Sequence, residues 1–120
     1  MGNPFVHVEL HTTDLAKAKD FYRTLFDWKL EEAPMADGTS YTLIRVGQGT
    51  GGGMMKQPMP GAPSMWLPYV AVDDVAAATA KAKSLGAKVT VDATEIPGVG
   101  WFSVLVDPTG ALIALFKPKM

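Results

Sequence analysis

The chain has 120 residues, of which 48% are apolar and 19% charged, so it is long enough for one globular domain with a packed core. Eleven Lys and Arg against 12 Asp and Glu leave a formal net charge of −1, which argues against binding to nucleic acid or an anionic membrane. The absence of cysteine excludes a disulfide framework, a Cys-based zinc site and a thiol nucleophile. No secretory signal or transmembrane span is evident, so we expect a soluble, cytoplasmic protein.

The same order of signals occurs twice along the chain. Asp14 opens one helical pattern and Asp74 opens another, 60 positions later, and a short alternating apolar run precedes each. Both aspartates are good N-caps, because a carboxylate accepts the free amide protons of a helix's first turn. The predicted helical stripes are Leu15, Ala18, Tyr22 and Leu25, widened by Phe21 and Phe26, and then Val75, Ala78, Ala82 and Leu85 before the helix stop at Gly86.

Each half is predicted to contain a strand, a helix and three further strands. The predicted strands are Phe5–His11, Trp28–Ala33, Tyr41–Val46, Gly52–Lys56, Trp66–Val72, Ala87–Val91, Trp101–Val106 and Ala111–Lys117. Gln57–Ser64 contains three prolines and one glycine and has the composition of a connector.

These elements predict an α+β fold with two βαβββ modules in tandem, at about residues 4–56 and 65–118 of a single domain covering 1–120. A half of this size has little surface to bury alone, so the modules should share a core. We expect a cupped mixed β-sheet with the helices on its outer face. A cup formed where two repeats meet is a natural site for a small molecule.

The arrangement of motifs resembles that of a known superfamily. His7 precedes the helix start Asp14-Leu15, Phe21-Tyr22 follows, and Asp107-Pro108-Thr109-Gly110 precedes the last strand. This order is similar to that of the vicinal oxygen chelate superfamily, which includes glyoxalase I, bleomycin resistance proteins, extradiol dioxygenases and fosfomycin resistance enzymes. The resemblance implies paired βαβββ modules around a cup. It also implies that any metal ligands would come from the first and last strands of the modules.

Four positions of this chain correspond to the ligand positions that the resemblance implies. His7 occupies the first, whereas the other three are Leu67, Gly53 and Ala114, which have no donor side chain. The resemblance therefore predicts a degenerate metal site and no cofactor.

An altered metal site is the alternative. His7, Glu9 and His11 alternate along one strand and so point to the same face. Imidazole with carboxylate suits zinc, nickel, manganese or iron, and His7 with Glu9 would be the ligands. The competing interpretation is a polar strand face hydrogen-bonded to its neighbours, with His11 near the strand end and exposed to water.

Strand alternation predicts which side chains line the cup, although a shift of one residue would invert any strand. The inward-facing sets are His7 and Glu9; Tyr41, Leu43 and Arg45; Met55; Leu67, Tyr69 and Ala71; Trp101, Ser103 and Leu105; and Leu112, Ala114 and Phe116. From these we take His7, Glu9, Tyr41, Arg45, Met55, Tyr69, Trp101 and Phe116 as candidate ligand-binding residues.

Simpler interpretations exist for several of these residues. Arg45 could form an ion pair with Glu9, and Tyr41 and Trp101 could serve only in packing. Gly51–Gly53 lacks the features of a phosphate loop, and we expect it to let a strand bend or a backbone approach closely.

Three functions fit this sequence. The leading hypothesis is a metal-independent protein that binds a small aromatic or amphipathic molecule in an apolar cup, as bleomycin-binding members of the superfamily do. The second is a metal-dependent lyase, isomerase or dioxygenase of glyoxalase type that uses His7. The third is an interaction module without a small ligand. No catalytic residue is assigned, and the resemblance implies a homodimer, with the modules paired within one chain or across two.

Overall fold

The computed structural model describes residues 2–35 and 37–119, and within these ranges the chain has the predicted order of strands and helices. The elements are β1 Phe5–Thr12, α1 Leu15–Leu25, β2 Lys29–Pro34, β3 Ser40–Arg45, β4 Gly52–Lys56, β5 Met65–Ala71, α2 Val75–Ser84, β6 Lys88–Ile96, β7 Gly100–Val106 and β8 Leu112–Pro118. The α+β class and the two tandem βαβββ modules are confirmed. Neither helix in the described ranges is long and apolar enough to cross a bilayer.

The first module consists of β1, α1 and β2–β4. Its strands lie in the order β2-β3-β4-β1, with β1 parallel to β4 and the other pairs antiparallel. Helix α1 begins as predicted, because the Asp14 carboxylate accepts the Lys17 N–H at 3.1 Å. One face of the sheet buries Leu10, Ile44 and Met54 under α1. The opposite face of β1 therefore carries the residues that alternate with Leu10.

The second module repeats this arrangement with β5, α2 and β6–β8. Its strands lie in the order β5-β8-β7-β6, and β5 is parallel to β8. Asp74 caps α2 by accepting the Ala77 N–H at 3.0 Å. Gly86, with a φ of 99°, ends the helical segment in the left-handed region, as predicted.

Parts of the predicted helical stripes are wrong, because some of their members are exposed and do not pack on the sheet. Val75 and Thr79 are the buried residues of α2, whereas Leu85 is 68% exposed. In α1, Tyr22 packs on the core but Phe21 and Leu25 remain exposed.

The chain forms two compact units, one being His7–Leu67 and the other running from Pro68 onward together with the segment up to Val6.

The predicted facing of β7 is wrong by one residue. The hydroxyls of Ser103 and of Thr79 in α2 are hydrogen-bonded at 2.8 Å, so Ser103 faces the helix, and alternation places Trp101 and Leu105 with it. The predicted counterparts Tyr41 and Trp101 are 60 positions apart, as are the two helix caps. However, the helix-facing Thr42 of β3 corresponds to Ser103, which is 61 positions later. The second module therefore has one additional residue before its third strand, and β6 is irregular in register between Val89 and Thr94.

Candidate functional site

Four polar side chains form one hydrogen-bonded cluster on the face of the first module's sheet opposite α1. The Tyr41 hydroxyl donates to Oε2 of Glu9 at 2.5 Å, and Nε2 of His11 lies 2.6 Å from Oε1 of the same carboxylate. Nε2 of His7 lies 2.9 Å from the Tyr41 hydroxyl oxygen. Because the hydroxyl proton goes to Glu9, His7 donates to the phenol, so its imidazole carries a proton on Nε2. We call His7, Glu9, His11 and Tyr41 the polar cluster.

Burial increases from one end of the polar cluster to its centre. The His7 side chain is 28% exposed, whereas the Glu9 side chain is 9% exposed. Both carboxylate oxygens of Glu9 have a hydrogen-bond partner, which is the condition under which a buried carboxylate is tolerated. Burial lowers the pKa of His7 below its ordinary value of 6.5, and the nearby Glu9 charge acts in the opposite direction. His7 is therefore a neutral imidazole at pH 7.

The glycine run of β4 makes this cluster possible. Tyr41 lies on β3 and Glu9 on β1, with β4 between them. Gly53 is directly paired with Glu9, and a Cβ built at Gly53 would lie 1.9 Å from the Tyr41 hydroxyl oxygen. The phenol thus occupies the space of the missing side chain and crosses β4 to reach Glu9. At Gly52, by contrast, a Cβ would lie 2.0 Å from the backbone oxygen of Val8, which is the close backbone approach that the sequence predicted.

Two predictions about this region are wrong. Arg45 does not pair with Glu9, since its guanidinium forms an ion pair with Glu31 of the adjacent strand, and both side chains are at least half exposed. His11 is not at a water-exposed strand end, since its side chain is 12% exposed and bonded to Glu9. The candidate ligand-binding residues predicted from the sequence do not include His11. Its spacing of two from Glu9 was the available signal, because such pairs share a strand face.

The remaining candidate residues lie in separate places. Met55 pairs in register with His11 and so lies on the same face as the polar cluster. Tyr69 and Phe116 meet edge to face in the second module, with ring centroids 6.4 Å apart. Trp101 lies on the α2-covered face of its sheet, contrary to prediction, where the Lys119 ammonium lies 5.5 Å from its ring centroid. Tyr69 and Phe116 stay predicted ligand contacts.

The residues present do not fit the metal site that the resemblance implies. Gly53 has no donor, and the space beside it holds the Tyr41 phenol. Leu67 and Ala114 are apolar and buried. Across residues 2–35 and 37–119, no three His, Cys, Asp or Glu side chains are grouped so as to hold a metal ion.

Comparison with known proteins identifies the family. Residues 5–115 match the model of the Glyoxalase/Bleomycin resistance protein/Dioxygenase superfamily. The chain belongs to this superfamily. It is 41% identical over 105 residues to the proposed glyoxylase CFP32 of Mycobacterium tuberculosis, covering 88% of this chain and 40% of the relative. It is 24% identical over 123 residues to the anthracycline biosynthesis protein DnrV of Streptomyces peucetius, covering 91% of this chain and 45% of the relative. The chain thus spans less than half the length of these curated relatives.

Solved structures share the fold of this chain. Methylmalonyl-CoA epimerase from Mycobacterium tuberculosis aligns with a TM-score of 0.70 at 20% identity, covering 97% of this chain and 88% of the epimerase. A variant of the Streptomyces coelicolor epimerase, in complex with 2-nitronate-propionyl-CoA, aligns with a TM-score of 0.71 at 14% identity, covering 97% of each chain. These similarities show that the chain has the same fold as the epimerases.

Proposed function

We propose that this superfamily member binds a small aromatic or amphipathic molecule at the polar cluster, without a divalent metal. The observation that carries the proposal is the Tyr41 phenol, which fills the space beside Gly53 and bonds Glu9 and His7. The Tyr41 hydroxyl already bonds two partners on another strand, so the polar cluster is preorganised. A preorganised site loses little conformational entropy when a ligand binds.

Recognition would involve the outer members of the cluster. Glu9 is the deepest member, and its two oxygens are engaged by Tyr41 and His11. His7 is more exposed and neutral, so a ligand approaching this face meets an uncharged imidazole beside a phenol. Met55, on the same face, offers a flexible apolar contact. This combination suits a molecule with an aromatic body and one polar group.

The relatives are consistent with this class of ligand. DnrV is named for anthracycline biosynthesis, and anthracyclines are flat polycyclic aromatic molecules with polar groups at their edges. CFP32 is named as a proposed glyoxylase, which favours a second candidate function, an enzyme acting on a small carbonyl compound. The observation that favours this candidate is the continuous hydrogen-bonded chain from His7 through Tyr41 to Glu9, since connected acid and base groups can move a proton.

A ligand screen separates these functions. We would measure thermal shifts of the purified chain with an anthracycline, with anilinonaphthalene sulfonate and with Zn²⁺, Ni²⁺, Mn²⁺ and Fe²⁺, together with elemental analysis. The proposal expects a shift with an aromatic compound that is lost in His7→Ala and kept in Arg45→Ala, whose side chain pairs elsewhere. Stoichiometric metal that disappears in His7→Ala would contradict the proposal and favour the metal-dependent enzyme. If no compound shifts the protein, the interaction-module hypothesis replaces it.

We also propose that the protein is cytoplasmic and forms a homodimer, as the resemblance implies. The balanced charge of −1 supports the proposal that neither nucleic acid nor membrane is a partner. Sedimentation equilibrium tests the dimer directly, because the chain has a mass of 12.8 kDa. A concentration-independent species of that mass would refute it.

A further inference from the structure

A second concave site lies in the unit His7–Leu67, away from the polar cluster. It is an open cavity of about 280 Å³ on the face of the sheet covered by α1. Its lining residues are Val8, Trp28, Ile44, Val46, Thr50, Gly51, Gly52 and Trp66. Val8 lies between His7 and Glu9 along β1, so alternation points it to the opposite face of the strand. The cavity and the polar cluster therefore open on opposite faces of the same sheet.

Two indole rings shape the cavity wall. Trp28 and Trp66 stand nearly perpendicular to each other, with an interplanar angle of 80° and centroids 6.3 Å apart. Tyr22 packs on both: its ring centroid lies 5.6 Å from that of Trp28 in a stacked arrangement and 5.4 Å from that of Trp66 in an edge-to-face arrangement. The ring centroids of Phe26 and Trp28 are 4.7 Å apart. Because each ring is held by other rings, the wall is preorganised, which lowers the entropic cost of binding.

The floor of the cavity depends on glycine. A Cβ at Gly51 would lie 2.9 Å from the Ile44 backbone oxygen, and one at Gly52 would lie 2.0 Å from the Val8 backbone oxygen. Both positions must therefore lack a side chain for β4 to pair as it does, and the space above them stays open. Among the lining residues that the structure describes, none is Asp, Glu, Lys, Arg or His. A charged ligand group would lose its hydration there without gaining a partner.

Volume restricts the ligand further. An apolar protein cavity of about 150 Å³ accommodates benzene, so a cavity nearly twice that size matches two fused rings. Edge-to-face and stacked contacts with the two indoles favour a planar aromatic molecule over an aliphatic one. We propose that this cavity is a binding site for a neutral bicyclic aromatic molecule or moiety, separate from the ligand site at the polar cluster.

The three tryptophans allow a direct test by NMR. Quinoline is neutral at pH 7.5 and has two fused rings, and we would titrate it into the ¹⁵N-labelled full chain while following the indole N–H signals, assigned with single Trp→Phe variants. The Trp28 and Trp66 signals should shift and saturate, whereas Trp101, which lies outside the unit His7–Leu67, should not respond. Naphthalene-2-sulfonate, which has the same ring system with a charge, should bind about tenfold more weakly. No shift, or an equal unsaturated shift of all three signals, would overturn the proposal.

Variants identify the site and separate it from the polar cluster. Val46→Phe adds bulk to the lining and should weaken quinoline binding about tenfold or more, whereas the exposed Val99→Phe adds the same bulk elsewhere and should leave it unchanged. If Val46→Phe does not fold, Thr50→Phe blocks the exposed rim instead. His7→Ala should not alter the saturating shifts that quinoline causes in the Trp28 and Trp66 signals. Loss of binding in His7→Ala with none in Val46→Phe would assign quinoline to the polar cluster and refute a separate site.

Discussion

Replacing Gly53 with alanine tests the geometry on which the candidate site rests. The three nearest atoms to a Cβ at this position all belong to the Tyr41 side chain, with the hydroxyl oxygen at 1.9 Å and two ring carbons at 2.2 and 2.4 Å. No backbone atom is among them, so the conflict can be relieved by moving the phenol away from the sheet. That movement breaks the hydrogen bonds from Tyr41 to Glu9 and from His7 to Tyr41. Gly53→Ala should therefore disrupt the polar cluster while preserving the fold.

The expected cost follows from those two bonds. The bond to the Glu9 carboxylate is worth about 1.5–3 kcal/mol and the bond with the neutral His7 about 0.5–1.5 kcal/mol. The alanine itself raises the free energy of unfolding by about 0.5–1 kcal/mol, because it loses less backbone entropy than glycine on folding into a strand. The net loss in the free energy of unfolding is thus about 2.5 kcal/mol, within a range of about 1–4 kcal/mol.

A double-mutant cycle with Tyr41→Ala measures whether the loss passes through the phenol. We would determine the free energy of unfolding by urea denaturation for the parent chain, both single variants and the double variant. In the Tyr41→Ala background, Gly53→Ala should be neutral or slightly stabilising. Gly52→Ala is the matched control, because its conflict is with the Val8 backbone and should persist in that background. A Gly53→Ala penalty that is equally large without the phenol would refute the reasoning.

Further predictions concern charge and buried polar groups. Acidification below about pH 6.5 should lower the free energy of unfolding, because burial lowers the pKa of His7 and the unfolded chain therefore binds its proton first. His7→Gln should reduce the slope of the free energy of unfolding against pH by at most about 1.4 kcal/mol per pH unit, and an unchanged slope would contradict this. Thr79→Val should cost about 1–3 kcal/mol in urea denaturation by leaving the buried Ser103 hydroxyl without its Thr79 partner, and adding Ser103→Ala should recover part of the loss. Arg45→Ala and Glu31→Ala should each change stability by about 1 kcal/mol or less, since their ion pair is exposed; a larger change at high salt would contradict this.

Local patterns were sufficient to predict the element types and their order. The N-caps at Asp14 and Asp74 and the stop at Gly86 depend on short-range hydrogen bonds and backbone conformation, which neighbouring residues control. Alternation along β1 placed His7 and Glu9 on one face for the same reason. The repeat and the motif order then indicated the superfamily, which the family match confirms.

Partners across strands were decided by tertiary structure. The phenol of Tyr41 meets Glu9 because β4 lies between their strands and has glycine at position 53, and no sequence interval encodes that crossing. Arg45 pairs with Glu31 instead of Glu9 for a similar reason, since β2 is the direct neighbour of β3. A single additional residue before β7 was enough to turn Trp101 toward the helix-covered face. Strand alternation has a period of two, so one residue reverses a face, and only long-range pairing sets that register.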